Sequence, residues 1–183
     1  MVEIMRMDSI STSNIDNTVA VIDILNEKLL LDFGYELSLR DFDEFYKFCI
    51  ISTDVDIDSM RHIIKVSTMW ETQLIDMVGL IDMAIDQYKN VVEIYEYLDK
   101  IAIKNVDEFI KVGPKYRIDT NDIPYAIKDI EQKTKDVQLI IKSLKIVKSR
   151  LESYIKFTTN SYYKASNIVR NSQKREKNIS FVF

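Results

Sequence analysis

His62 is the one histidine and Cys49 the one cysteine in the sequence, and between them they limit the side-chain chemistry available. A nucleophile needs a base within hydrogen-bond reach, and the residues around His62 supply no such pair in a recognisable arrangement. Its ring is expected at or near the surface, at the start of a long helix. One Cys and one His at separated positions do not make a tetrahedral zinc site. Asp54, Asp56 and Asp58 alternate like the opening of a calcium loop, yet the central glycine is missing and the twelfth position is Lys65, where a bidentate glutamate is needed. Carboxylates placed there instead favour the positive end of a helix dipole. No glycine-rich phosphate loop or dinucleotide fingerprint is present. The acidic residues also lack the Glu-x-x-His pairing of di-metal bundles. The expectation is a non-enzymatic chain with no catalytic residue, no metal, no cofactor and no small-molecule substrate.

The positive charges are a different matter. Residues 1–140 hold 15 Lys and Arg against 27 Asp and Glu, a balance of −12, whereas residues 141–183 hold 10 against 2, a balance of +8. Lys142, Lys145, Lys148, Arg150, Lys156, Lys164, Arg170, Lys174, Arg175 and Lys177 are interleaved with Tyr154, Tyr162 and Tyr163. Clustered cations of this kind bind phosphates of nucleic acid or of an anionic membrane. They equally suit pairing with the acidic residues of an antiparallel neighbouring helix, and that second reading is preferred because the whole chain carries a net charge of −4. The candidate interaction surface is Lys142, Lys145, Arg150, Lys156, Arg170, Lys174, Arg175 and Lys177.

These residues need elements to hold them. Among 183 residues, 46% are hydrophobic, enough for a core, and only three glycines and two prolines interrupt them. So few breakers suit a small number of long helices, not many short strands and turns. The fold class is therefore all-α. A single cysteine permits no intrachain disulfide, so a reducing compartment is the default. The opening MVEIMRMDSI lacks the basic and apolar regions of a signal peptide, and no segment approaches the ~20 apolar residues of a membrane span. These points favour a cytoplasmic protein while leaving leaderless export open.

A flexible lead-in is expected over 1–12, helices over about 13–33, 39–51, 54–112 and 122–173, and a basic then apolar tail over 174–183. Ser13 can cap the first helix and Gly34 can end it in a left-handed conformation. Ser38 can cap the second, and Thr53 or Asp58 the third. In the third, Trp70, Leu74, Met77, Ile81, Ala84, Tyr88, Val91, Tyr95, Leu98 and Ala102 alternate steps of four and three, a heptad seam. Gly113, as a left-handed stop, and Pro114 end that helix. The fourth is opened by Thr120 or Asp122. Its seam reads Ile130, Thr134, Val137, Ile141, Leu144, Lys148, Leu151, Ile155, Thr158, Tyr162, Ala165 and Val169.

Two long helices joined by a short connection return antiparallel. The sequence therefore predicts one elongated bundle over 13–173, built on a coiled-coil hairpin on the order of 85 Å long. Val78, Ile85 and Val92 widen the apolar stripe beyond what one partner helix covers, so the two N-terminal helices are expected to pack on the hairpin. The function this implies is protein–protein interaction or scaffolding, by self-association or by covering a target protein. The alternative is a membrane-acting helical protein of the toxin-component type. A third reading is binding to nucleic acid or an anionic surface through the basic C-terminal helix.

Overall fold

The computed structural model describes residues 11–51 and 56–180, apart from the side chains of Ile51 and of 175–180. The lead-in to Ile10, Thr53, Asp54 and the tail from 181 lie outside the described residues. Five α-helices are formed among those described: α1 (Thr12–Phe33), α2 (Phe42–Ile51), α3 (Ile57–Lys104), α4 (Val106–Val112) and α5 (Ile123–Ser180). A 3-10 turn over Gly113–Tyr116 follows α4, and no strand occurs among the described residues. The chain is an all-α helical bundle protein. Its contacts gather into two units, Met1–Leu80 with Val147–Phe183, and Ile81–Ile146, where the sequence was read as one unit over 13–173.

Local chemistry sets the helix ends. Ser11, not Ser13, caps α1: its side chain accepts from the Asn14 amide at 3.3 Å. Gly34 ends α1 at φ 76° and its amide donates to the Leu30 carbonyl, a left-handed stop that glycine adopts without a Cβ penalty. The second helix begins at Phe42, three residues later than expected. Asp41 stands at φ 69°, which interrupts a helical run from Leu39, so Leu39 enters the core from a turn. Asp56 rather than Asp58 caps α3, accepting from the amides of Asp58 and Ser59.

The expected helix over 54–112 is broken at Asn105. There the Asn105 side chain accepts from the Glu108 amide and donates to the Glu108 carboxylate, a reciprocal cap that starts α4 afresh. Gly113 is not left-handed, with φ −51°. The left-handed residue is Arg117, whose amide donates to the carbonyls of Gly113 and Pro114. Glycine at position 113 leaves room, since a Cβ there would lie 2.6 Å from the Thr120 methyl and one of the two would have to shift. Asp122 opens α5 by accepting from the Tyr125 amide at 3.1 Å.

In the unit that contains the chain's amino-terminal helices, α1, α2, the first part of α3 and the last part of α5 bury one another. Ile15, Ile22, Leu25 and Leu29 come from α1, and Phe42, Phe45 and Tyr46 from α2. Trp70, Leu74 and Met77 of α3 and Val147, Leu151 and Tyr154 of α5 complete that core. Phe42 is its aromatic centre, with the Trp70 ring edge-on at 5.1 Å and the Tyr154 ring at 5.0 Å. The second unit closes around Leu98, Ile101, Ala102, Phe109, Ile118, Ala126 and Ile130. Tyr97 donates to the Glu108 carboxylate at 2.6 Å, fastening α4 back on α3.

Candidate interaction surfaces

Of the heptad positions singled out in α3, Trp70, Leu74, Met77, Ile81, Tyr88 and Leu98 are buried and Tyr95 is half-buried. On α5, Leu144 and Leu151 are buried, while Ile141, Lys148 and Ile155 are half-buried. Val147 and Tyr154 take the fully buried places that the sequence reading gave to Lys148 and Ile155. A one-residue shift of this kind is natural where Lys148 offers an aliphatic stem at a step of four and Val147 an equally apolar side chain at a step of three.

Tyr154 also carries a polar load. Its hydroxyl donates to the Asn14 carbonyl at 3.2 Å and lies 2.9 Å from the Thr18 hydroxyl, which itself donates to Asn14. Arg150 donates to the same Thr18 oxygen at 3.2 Å. Arg150 is thus half-buried and engaged in joining α5 to α1, and is not a member of a free cationic surface. Sequence reading missed this network because its partners lie far apart in the chain.

The remaining basic candidates point outward. Lys142, Lys145, Lys156, Arg170 and Lys174 are exposed and form no ion pair among the described residues. The side chains of Arg175 and Lys177 lie outside the described residues. The pairing with acidic residues of the long third helix, preferred from the sequence, is absent at these five side chains. The reason is angular: within the first unit, Lys156, Tyr163, Arg170 and Lys174 follow one stripe of α5 set away from the face that carries Leu151, Thr158 and Ala165. Ion pairs such as Lys28–Asp32 and Lys133–Asp129 join neighbours one turn apart on a single helix.

Cys49 and His62 behave as packing residues. Cys49 lines an apolar cleft of about 340 Å³ with Ile50, Met60, Ile63, Phe157 and Ala165, rimmed by Asn160, Ser161 and Lys164. Burial pushes its thiol up to about 11, against the smaller opposing effects of Ser161 and Lys164, so it stays protonated at neutral pH. His62 is exposed and sets its ring edge-on to Phe48 at 5.3 Å. No cluster of three His, Cys, Asp or Glu side chains suited to a metal ion occurs among the described residues. Nor is any helix among them long and apolar enough to cross a membrane.

What the sequence reading did not single out is a set of large apolar side chains on outward helix faces. In α1, Ile24 and Leu31 are 74% and 79% exposed. In α5, Tyr125 and Leu139 are 63% and 61% exposed, with Ile146 at 44%. Their seven- and fourteen-residue spacings were visible in the sequence, but they became informative only once the opposite faces of the same helices were seen to be buried. No known protein family, curated protein or solved structure matches the chain.

Proposed function

We propose that this protein is a helical protein–protein interaction or scaffolding module, without enzymatic activity, whose long α3 and α5 act as a coiled-coil framework. The observation that carries the reading is the second apolar face on helices already packed on their inner side. Isolated exposed apolar residues are ordinary on protein surfaces, but heptad repetition of them on one face is what a partner helix reads. A helical framework holding such faces does its work by presenting shape and charge. A cytoplasm-like setting suits the single, protonated thiol.

The experiment is chemical crosslinking of the protein in extract of its native cells, compared with Leu139→Asp. Because Leu139 is exposed, the substitution should move folding stability by only about 0.5 kcal/mol, while defined crosslinked adducts should be lost. Adducts unchanged by Leu139→Asp and by Ile24→Asp would count against the reading. A second reading is supported by the exposed Lys156, Tyr163, Arg170 and Lys174 stripe: binding to an anionic surface. It requires affinity for duplex nucleic acid or acidic vesicles that falls log-linearly with salt and is lost when Arg170 and Lys174 are changed to Glu.

A further inference from the structure

The outward face of α5 in the second unit has a regular make-up. Tyr125, Leu139 and Ile146 share one heptad position, interrupted by Gln132, and Lys128, Lys135 and Lys142 share the position three residues on. All six are exposed. None of the three lysines forms an ion pair among the described residues; the carboxylates nearby, Glu131 and Asp136, stand to either side of the stripe, and Asp136 accepts from Gln132. Ala126, Ile130 and Leu144 occupy the opposite, buried side. The result is a strip of exposed apolar and basic side chains.

Pairing two such strips would bring lysine against lysine, so α5 does not serve as its own partner. The complement is an amphipathic helix with carboxylates set beside heptad-spaced aliphatic residues. The chain contains one. In α1, Ile15, Ile22, Leu25 and Leu29 are buried, and the opposite face presents Ile24 and Leu31, seven apart, beside Asp16, Asp23 and Glu27. Lys28, its one cation, already pairs with Asp32. On α1 these residues run from Asp16 to Leu31, which fits within the run from Tyr125 to Ile146.

We propose that the outer face of α5 docks the outer face of α1 from a second copy of this chain. This rests on the reading of the protein as an interaction module and names its partner and contact. The aliphatic pairs supply the attraction and the Lys–carboxylate rows select α1 over α5. A single helix-on-helix contact lies toward the small end of the interface scale, roughly 1,200 Å² or less, so the association is weak and salt-sensitive.

The test is sedimentation velocity of the full chain at about 20 mM and about 500 mM salt, where the Debye length falls from roughly 20 Å to about 4 Å. Wild type should associate at low salt and weaken at least about tenfold at high salt. Lys135→Glu with Lys142→Glu leaves both faces acidic, and Asp23→Lys with Glu27→Lys leaves both basic; each variant alone should be monomeric. An equal mixture of the two should associate again, because each then supplies the complement of the other. Thermal melting of the variants confirms that these exposed positions leave the fold intact. A monomeric wild type, variants that associate like wild type, or a mixture that stays monomeric would each overturn the proposal. So would sedimentation of the protein with acidic vesicles through its α5 strip without self-association. If self-association fails while Leu139→Asp still removes crosslinks to other proteins, the interaction-module reading stands without this partner. If both fail, both readings fall.

Discussion

Ser67 is a small test of how polar groups are handled in this core. It is 1% exposed, and its hydroxyl finds no hydrogen-bond partner among the described residues. An unsatisfied buried hydroxyl costs on the order of 1–3 kcal/mol, and alanine is the better helix former. Ser67→Ala should therefore stabilise the protein by about 1 kcal/mol in urea denaturation. Tyr154 is the opposite case, since its hydroxyl is shared with Thr18 and Asn14. Tyr154→Phe should destabilise by ~1 to 2 kcal/mol, and less when combined with Thr18→Val, because the first loss already weakens the second. Cys49 gives a pH dependence. Its folded-state pKa is raised from the usual 9.0 to about 11 by burial, and burial likewise raises Tyr154. The folded state therefore holds protons that the unfolded chain has already released in that range. The corresponding stability is complete below about pH 9 and is lost as pH rises through about 11. The urea midpoint should fall between about pH 8 and pH 10.5, less steeply in Cys49→Ala, with thiol alkylation of the folded protein slow at neutral pH.

At the scale of the element, the turn after α4 depends on one glycine. Gly113 lies in right-handed helical geometry, so its role is room and not dihedral freedom: a Cβ would meet the Thr120 methyl at 2.6 Å and face the Phe109 ring at 3.6 Å. Gly113→Ala should cost ~1 to 3 kcal/mol as an overpacking substitution. Thr120→Ser removes the methyl in question and should recover most of the loss. A melting curve of G113A equal to that of the wild type would show that Thr120 simply rotates away. The break at Asn105 was written in the sequence as Asn-x-x-Glu, a capping pattern, but the apolar series running on to Phe109 hid it. Periodicity reports which face is apolar, and a kink that keeps the same residues inward leaves that signal undisturbed.

For the molecule as a whole, one unit buries Phe42, Trp70 and Tyr154 together and the other buries Leu98, Phe109 and Ile130. Leu74→Ala and Leu98→Ala each empty a fully buried site in one of them. Each should cost ~2 to 5 kcal/mol, and hydrogen exchange should accelerate chiefly in the unit that carries the substitution. Equal acceleration throughout would mean that the chain unfolds as one cooperative body.

The sequence alone determined the helical class, the two long helices and the inward set Trp70, Leu74, Met77, Ile81, Tyr88, Leu98, Leu144 and Leu151, because helix periodicity and burial are both recorded in residue spacing. It also located the charge imbalance. Only the tertiary structure decided that Val147 and Tyr154, and not Lys148 and Ile155, complete the buried row of α5. It likewise turned Arg150 toward Thr18 and left Lys142, Lys145, Lys156, Arg170 and Lys174 facing solvent. Charge pairing between helices depends on distance and angle across the packing, to which a one-dimensional count of acids and bases is blind. For the same reason the outward faces of α1 and α5 became visible as surfaces only after their inward faces had been filled.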